Sequence, residues 1–545
     1  MKKVFLALIL LLSAILAAPA TGDTFIDEQY AASRPPVEGQ PGWISGYYDD
    51  GIDDGRAGSA LFGIKVGPES QGWETATLCT SMTDPACTGY TQFDFNAYLP
   101  ECSATVTTDC IVGITAITDK GEENGTFVRQ FPEKGANDFT GNPNIGLPNG
   151  ESPSLWQFEN VKHAGGNQFM IMAAVTGYAS PQQVDPLMKL NLYPVSIKTG
   201  MGPNTVTWNV AKLANNKFGR GARDERVYLY RGDDEVVTRW PFPADTKFKI
   251  TVRVKRPLTG WLHGRVEKPD IQITTGSFGQ QFAITALPTV VPTVDYWTRF
   301  TELPEELRKL LIEEGRPSGA FYFGNGSEGG WEDVTTSHQN GGPTDERTMQ
   351  KFLYFVQVAK DKAAANKSSW TIRTMTPREL GSAAQCLQGK TSLAGVVSTN
   401  STVYLSGPPT FDTATQTLNY RVAAPHYARS GDLNVGQYAL VMKSDVARCV
   451  YGFKDAPYSA SVSVVSANGT AQVATTSVTQ KDGWLYLTAG GFTYSSPTVQ
   501  VKLTQEQPAP VVVKPVAKRT TITCVKGETT KKVSGTKCPS GWKKK

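Results

Sequence analysis

Residues 324–343, GNGSEGGWEDVTTSHQNGGP, gather several chemically capable side chains in one short stretch. Glu328, Glu332, Asp333 and His338 accompany Trp331 among six glycines. Carboxylates on an aromatic-bearing loop are the groups glycoside hydrolysis uses, one as acid and the other as base or nucleophile across the scissile bond. Loops of this kind carry function when a scaffold positions them. Glu332 and Asp333 are adjacent, a spacing that does not by itself place them on opposite sides of a substrate. The competing reading is a solvated surface loop.

A second acidic stretch, Asp49-Asp50-Gly51-Ile52-Asp53-Asp54-Gly55, offers hard oxygen ligands at close spacing. Such ligands suit Ca²⁺, but an EF-hand needs Glu at its twelfth position, which counted from Asp49 is Ala60. A polar turn is the simpler expectation for Asp49, Asp50, Asp53 and Asp54. His263 in Trp261-Leu262-His263-Gly264-Arg265 and His426 in Pro425-His426-Tyr427 read as buried, hydrogen-bonded histidines. Arg231-Gly232-Asp233 matches an adhesion tripeptide at a place where a turn is expected anyway. Five N-x-S/T sequons begin at Asn124, Asn325, Asn366, Asn400 and Asn468. No G-x-S-x-G, H-E-x-x-H, P-loop or dinucleotide fingerprint occurs, so the sequence points to no cofactor.

The eight cysteines form sequential pairs, Cys79/Cys87, Cys102/Cys110, Cys386/Cys449 and Cys524/Cys538. The first two pairs share the spacing C-x7-C. No C-x2-C is present, and the histidines at 163, 263, 338 and 426 are scattered, so disulfides are expected in preference to a metal centre. Nearest-neighbour pairing is the simplest connectivity, with crossed pairing among the first four as its rival.

Charge is segregated. From residue 514 onward stand ten Lys/Arg, including Lys518, Arg519, Lys526, Lys531, Lys532, Lys537, Lys543, Lys544 and Lys545, against the single acid Glu528. The whole chain is only +4, so the rest is acidic once the two N-terminal lysines are set aside. A basic block on an acidic body suits attachment to an anionic cell-envelope polymer or lipid surface. Nucleic acid is disfavoured, because Trp542 is the block's single aromatic and offers no run of stacking platforms.

These groups require a scaffold. Residues 1–20 read as a secretory signal: Lys2 and Lys3, an apolar run from Val4 to Ala18, then Ala18-Pro19-Ala20. That run is shorter than a bilayer span, and no later segment is apolar enough to cross, so no transmembrane span is expected after cleavage. The resulting expectation is a secreted protein, extracellular or held at the cell surface. Alternating apolar segments separated by Gly, Pro, Asn and Asp predict a mainly β chain of several β-sandwiches. The expected layout is a strand-rich region 21–300, a helical segment 301–366, an Ig-like sandwich 367–504, a Pro/Val linker 505–515 and the basic disulfide-linked tail 516–545. FKITVRV (248–254), PDIQITTG (269–276) and MKLNLYPVSIK (188–198) alternate, as do TLNYRV (417–422) and YALVMKS (438–444). Asn468-Gly469 and Asp482-Gly483 are hairpin turn signals. Helices are predicted from Pro304 to Glu314, with Leu307, Leu310 and Leu311 on one face, and from Asp345 to about Ala365.

The tail resembles a C-terminal module shared by secreted actinobacterial proteins. In that module a Thr-Ile-Thr-Cys-Val-Lys-Gly start and a Cys-Pro-(Ser/Ala)-Gly-(aromatic)-Lys-Lys-Lys end recur, here Thr521 to Gly527 and Cys538 to Lys545. The body resembles large uncharacterised exported proteins of the same bacteria at LPECSATVTTDC (99–110), WLHGRVEKPDI (261–271), SDVARCVYGF (444–453) and DGWLYLTAGGFTYSSP (482–497). The resemblance implies an exported, envelope-associated protein and brings no activity with it. Three functional expectations follow: a surface-retained structural or binding protein, a glycan-active hydrolase using 324–343, or a carbohydrate- or ligand-binding module using exposed aromatics such as Tyr486 or Tyr494.

Overall fold

The computed structural model describes residues 36–37, 40–48, 58–66, 73–199, 228–231, 235–315, 321–322, 330–340, 342–380, 392–415, 417–451, 458–465, 471–472, 475–494, 498–505 and 521–545. The acidic turn from Asp49 to Asp54, Glu328, Cys386, Lys518, Arg519, the Asn468-Gly469 turn and the N-terminal apolar run lie outside these residues. The chain is mainly β, 55% strand and 10% helix. The chain divides into two units: one holds residues 1–453 with 460–503, the other 454–459 with 504–545. Among the described residues, no helix is long and apolar enough to cross a membrane.

Strand formation follows the two-residue period of the sequence. Lys247–Val254 alternates exposed or half-buried residues with buried Phe248, Ile250, Val252 and Val254. It lies between Gly279–Leu287 and Cys110–Thr118 in a five-stranded antiparallel sheet. That sheet packs on a 15-stranded sheet, and Phe158, Phe169, Phe242 and Phe248 form a ring-contact chain in the shared core. Trp370 is fully buried there, and its Nε1 donates to the Ala286 carbonyl at 3.1 Å.

The large sheet runs through the boundary expected at 366/367. Thr371–Thr374 hydrogen-bonds to Val184–Thr199 on one side and to Gly260–Arg265 on the other, and Gly260–Arg265 pairs in parallel with Leu393–Thr399. The strands after 392 therefore divide between two sheets. Leu393–Thr399, Val435–Lys443, Thr475–Lys481 and Trp484–Thr493 extend the large sheet. Val403–Leu405, Thr417–Ala423 and Thr498–Gln505 belong to a seven-stranded sheet. Tyr420 meets Tyr438 at 5.6 Å between ring centroids, so the two sheets face each other as sandwich layers. The Asp482-Gly483 signal holds: both residues have positive φ, and they form the two-residue loop between paired Lys481 and Trp484.

The first helix is Glu305–Glu313, with Leu307 and Leu311 buried, Gly315 at φ +70° behind it and a Glu305–Lys309 pair at 2.6 Å. Leu310 is only half-buried. The second helix is Glu346–Val358, capped by Asp345, whose carboxylate accepts from the Thr348 N–H. It stops seven residues short of Ala365, because Lys360 and Asp361 adopt positive φ and turn the chain into the strand Ala365–Ser369. Both helices contribute to one core with Ile44, Tyr48 and Val294, so they pack together and cover a sheet. Gly46 makes this possible: a Cβ there would collide with the Phe355 ring.

Candidate functional site

The described tail, Thr521–Lys545, is a three-stranded antiparallel sheet with Thr521–Lys526 at its centre. Thr529–Ser534 pairs on one side through a two-residue loop, in which Gly527 takes φ +59°. Lys543–Lys544 pairs on the other side. Its buried residues are Ile522 and Cys524 alone among those described, far too few for an apolar core. The Cys524–Cys538 disulfide supplies the missing constraint, closing the loop that carries the outer strand.

This framework distributes charge over both faces. Side chains at paired positions on neighbouring strands share a face. Lys531 and Lys544 therefore flank Cys524 on one face, while Lys532 beside Thr523 and Lys543 beside Val525 occupy the other. Lys526, Lys531, Lys532, Lys537, Lys543, Lys544 and Lys545 are all exposed. None makes an ion pair among the described residues, where Glu528 is the tail's single acid. Neighbouring strands are about 5 Å apart, well inside the roughly 8 Å screening length of physiological salt. The lysines thus act as one multivalent cationic field.

The 324–343 stretch separates its candidates. Trp331 is buried: its Nε1 donates to the Leu311 carbonyl at 2.9 Å and its ring stacks on Phe300. It anchors the chain to the first helix, so it is not a sugar platform. Glu332 and Asp333 follow in an exposed turn, without hydrogen bonds to their carboxylates among the described residues. His338 lies further on in the strand Thr336–Asn340, where its backbone pairs in parallel with Gly46.

The other histidines serve the fold. His426 Nδ1 meets Asp361 Oδ2 at 2.5 Å, and Asp361 Oδ1 accepts from the His426 N–H at 2.9 Å. This clamp fastens residues 425–434 to the end of the second helix. His263 is buried as expected, but neither ring nitrogen has a hydrogen-bond partner among the described residues. It stacks on Tyr404 at 3.8 Å and lies in register with Arg373 on the adjacent strand. Burial, followed by the positive charges of Arg265 and Arg373, holds His263 well below the ordinary imidazole pKa. Arg265 donates to the carbonyls of Thr399 and Thr402. Arg373 forms a two-pronged pair with Glu379 at 2.6 and 2.8 Å. A neutral, enclosed imidazole between two guanidiniums has no route for exchanging protons with a substrate.

Two expectations on the terminal sandwich need correction. Tyr494 is fully buried, with its hydroxyl donating to Asn400 Oδ1, so it presents nothing to a ligand. Tyr486 is half-buried and donates to Asp270 Oδ1 at 2.9 Å. Asn400 is itself buried, accepting also from the Gln437 N–H and donating to the Val435 carbonyl, so that sequon is closed to glycosylation. The disulfides Cys79–Cys87, Cys102–Cys110 and Cys524–Cys538 follow nearest-neighbour pairing, and Cys449 is also disulfide-bonded.

Comparison of the chain with family models, with curated proteins and with solved structures finds no match.

Proposed function

We propose that the C-terminal module is an electrostatic anchor that retains an exported β-rich protein on an anionic surface of the cell envelope, where the protein has a structural or binding role. The observation that carries this reading is the set of seven exposed lysines, facing one acid, on a disulfide-held sheet with almost no core. A sheet that buries two side chains has little use as a packing unit, and its exposed cations suit contact with phosphate- or carboxylate-bearing polymers or headgroups. Disulfides in both units fit an oxidising compartment.

Fractionation of producing cells tests the proposal, comparing the full chain with one ending at Pro515. The full chain should stay with the envelope at low salt and be released at high salt, while the shortened chain enters the medium. Equal partitioning of the two would overturn it.

A further inference from the structure

Away from the tail, two carboxylates meet where the fold gives them almost no positive partner. Phe139 and Gly150 form an antiparallel bridge, with reciprocal hydrogen bonds of 3.1 and 3.0 Å. The register this sets puts Asp138 opposite Glu151. Glu151 is fixed on its other side, where its N–H donates to the Tyr98 carbonyl at 3.0 Å. Like charges directly opposite one another destabilise a strand pair, and these are also partly withdrawn from water. Burial raises both carboxyl pKa values, and Asp138 raises that of Glu151 further. Among the described residues, Lys134 on the exposed loop is the cation acting on Asp138, and Arg129 nearby in sequence is engaged by Glu235.

Three buried oxygens here have no hydrogen-bond partner among the described residues: Asp138 Oδ1 of the pair itself, Ser152 Oγ and Gln130 Oε1. Ser152 is only 1% exposed. Its Oγ and Asp138 Oδ1 converge on the same side of Gly135, where a Cβ would collide with Asp138 Oδ1 and lie 3.1 Å from Ser152 Oγ. Asp138 is held there through Oδ2, which accepts from the Gly135 N–H at 2.8 Å. Gln130 reaches the same place, its Nε2 donating to Glu151 Oε2 at 3.3 Å. Buried polar atoms normally find partners, and a convergence of orphans around like charges needs a reason.

We infer that Asp138, Glu151, Ser152 and Gln130 form a Ca²⁺ site. The donors are all oxygen and of mixed charge, Gln130 from the end of the strand Thr126–Gln130 and the others from irregular chain beside it, which suits Ca²⁺ over Zn²⁺ or Cu²⁺. Among the described residues no three His, Cys, Asp or Glu side chains converge, so this site takes its further donors from neutral oxygens. Two charged ligands with water completing the shell place the affinity with extracellular Ca²⁺ modules, at a Kd on the order of 10⁻⁴ to 10⁻³ M. The ion would tie the 132–151 loop to the edge of the large sheet.

Calorimetric titration of the full chain with Ca²⁺, after chelator treatment, tests this. The expected result is saturable binding that Asp138→Asn and Glu151→Gln each weaken at least tenfold. The two amides also remove a like-charge repulsion, so without Ca²⁺ these variants should melt no lower than the wild type, while losing the Ca²⁺-dependent rise in Tm. Should either amide variant fail to fold, Ser152→Ala, which removes one neutral ligand, should still weaken binding measurably. The inference is overturned by absence of binding at 5 mM Ca²⁺. It is equally overturned if binding survives both amide variants but is lost when Asp49, Asp50, Asp53 and Asp54 become Asn.

Discussion

The body and the tail are both β-sheet, yet they are held together by different means and leave different groups free. In the body, Trp370, Phe248 and Ile250 are completely buried and polar groups are drawn inward with them: His263, Arg265 and most of Arg373. Among the described residues of the tail, two side chains are buried, one of them half of a disulfide, and every lysine is exposed. A sheet that derives its stability from packing has little freedom to vary its inward faces. A sheet fixed by one covalent bond can devote nearly all its positions to charge. Under the proposed anchoring role, the first supplies stability and the second contact with a partner, and each half of that contrast can be broken.

The largest effect should come from the body's core. Trp370→Ala removes a buried indole and its hydrogen bond to Ala286, at a cost of about 3–5 kcal/mol. Denaturant unfolding monitored by far-UV circular dichroism should show the lowered midpoint, and hydrogen exchange should find protection of the 521–545 amides unchanged. A concurrent loss of tail protection would end the separation of the two regions. Next in size is the disulfide. Replacing Cys524 and Cys538 by Ser frees a loop of 14-residue separation, worth about 3 kcal/mol on a chain-entropy treatment. With so little buried, the tail strands should lose exchange protection outright while the body's melting temperature holds. A tail that remains protected would mean that its side chains pack better than their burial indicates.

His263 gives a smaller effect that grows with acidity. Its folded pKa is depressed, so below about pH 6.5, the ordinary imidazole value, the unfolded chain binds a proton that the native state refuses. Stability is then full above that pH and falls as pH drops through it, by up to about 1.4 kcal/mol per pH unit for this one group. His263→Phe keeps a flat ring against Tyr404 and removes two unpartnered nitrogens. The difference in unfolding free energy between variant and wild type, measured by urea titration at several pH values, should widen in favour of the variant from pH 6.5 to 5. A constant difference would show that the imidazole finds a proton-compatible environment in the native state.

Much of this was open to reading from the residues, and what was hidden shares a cause. Two-residue alternation marked Lys247–Val254 and Thr417–Ala423, Asp482-Gly483 marked a hairpin, and Leu307, Leu311 and Gly315 marked a helix and its stop. Each is a local property, set by backbone sterics and one buried face. The tail's charge and disulfide were legible for the same reason, lying close together in sequence, while its three strands were not among the expectations. What escaped depended on distant register. Nothing local to Thr371–Thr374 announces that it pairs with strands about 110 and about 180 residues earlier, which carries one sheet across an expected domain boundary. The second helix ends earlier than its periodicity predicts because Lys360 and Asp361 adopt positive φ without the glycine that usually signals it. The meeting of Asp138 with Glu151 arises from a single bridge between Phe139 and Gly150, and no periodicity encodes one bridge.

The smallest structural effect belongs to the tail's lysines, and there it carries the most functional meaning. Lys544 sits beside Cys524 on an outer strand, exposed, with no ion pair among the described residues. Lys544→Gln keeps a polar, hydrogen-bonding side chain, one bond shorter, and removes one charge. Stability should change by less than about 0.5 kcal/mol, as for other surface substitutions. Binding to a soluble polyanion such as dextran sulfate should weaken and lose part of its salt dependence, because one fewer cation displaces counterions. Lys531→Gln, on the same face across the central strand, should do likewise, and the two together should act nearly additively, since a screened field sums its charges rather than relying on one contact. A double variant that binds as tightly and with the same salt slope as the wild type would detach the lysine field from retention, leaving the tail a disulfide-held appendage whose charge serves only solubility.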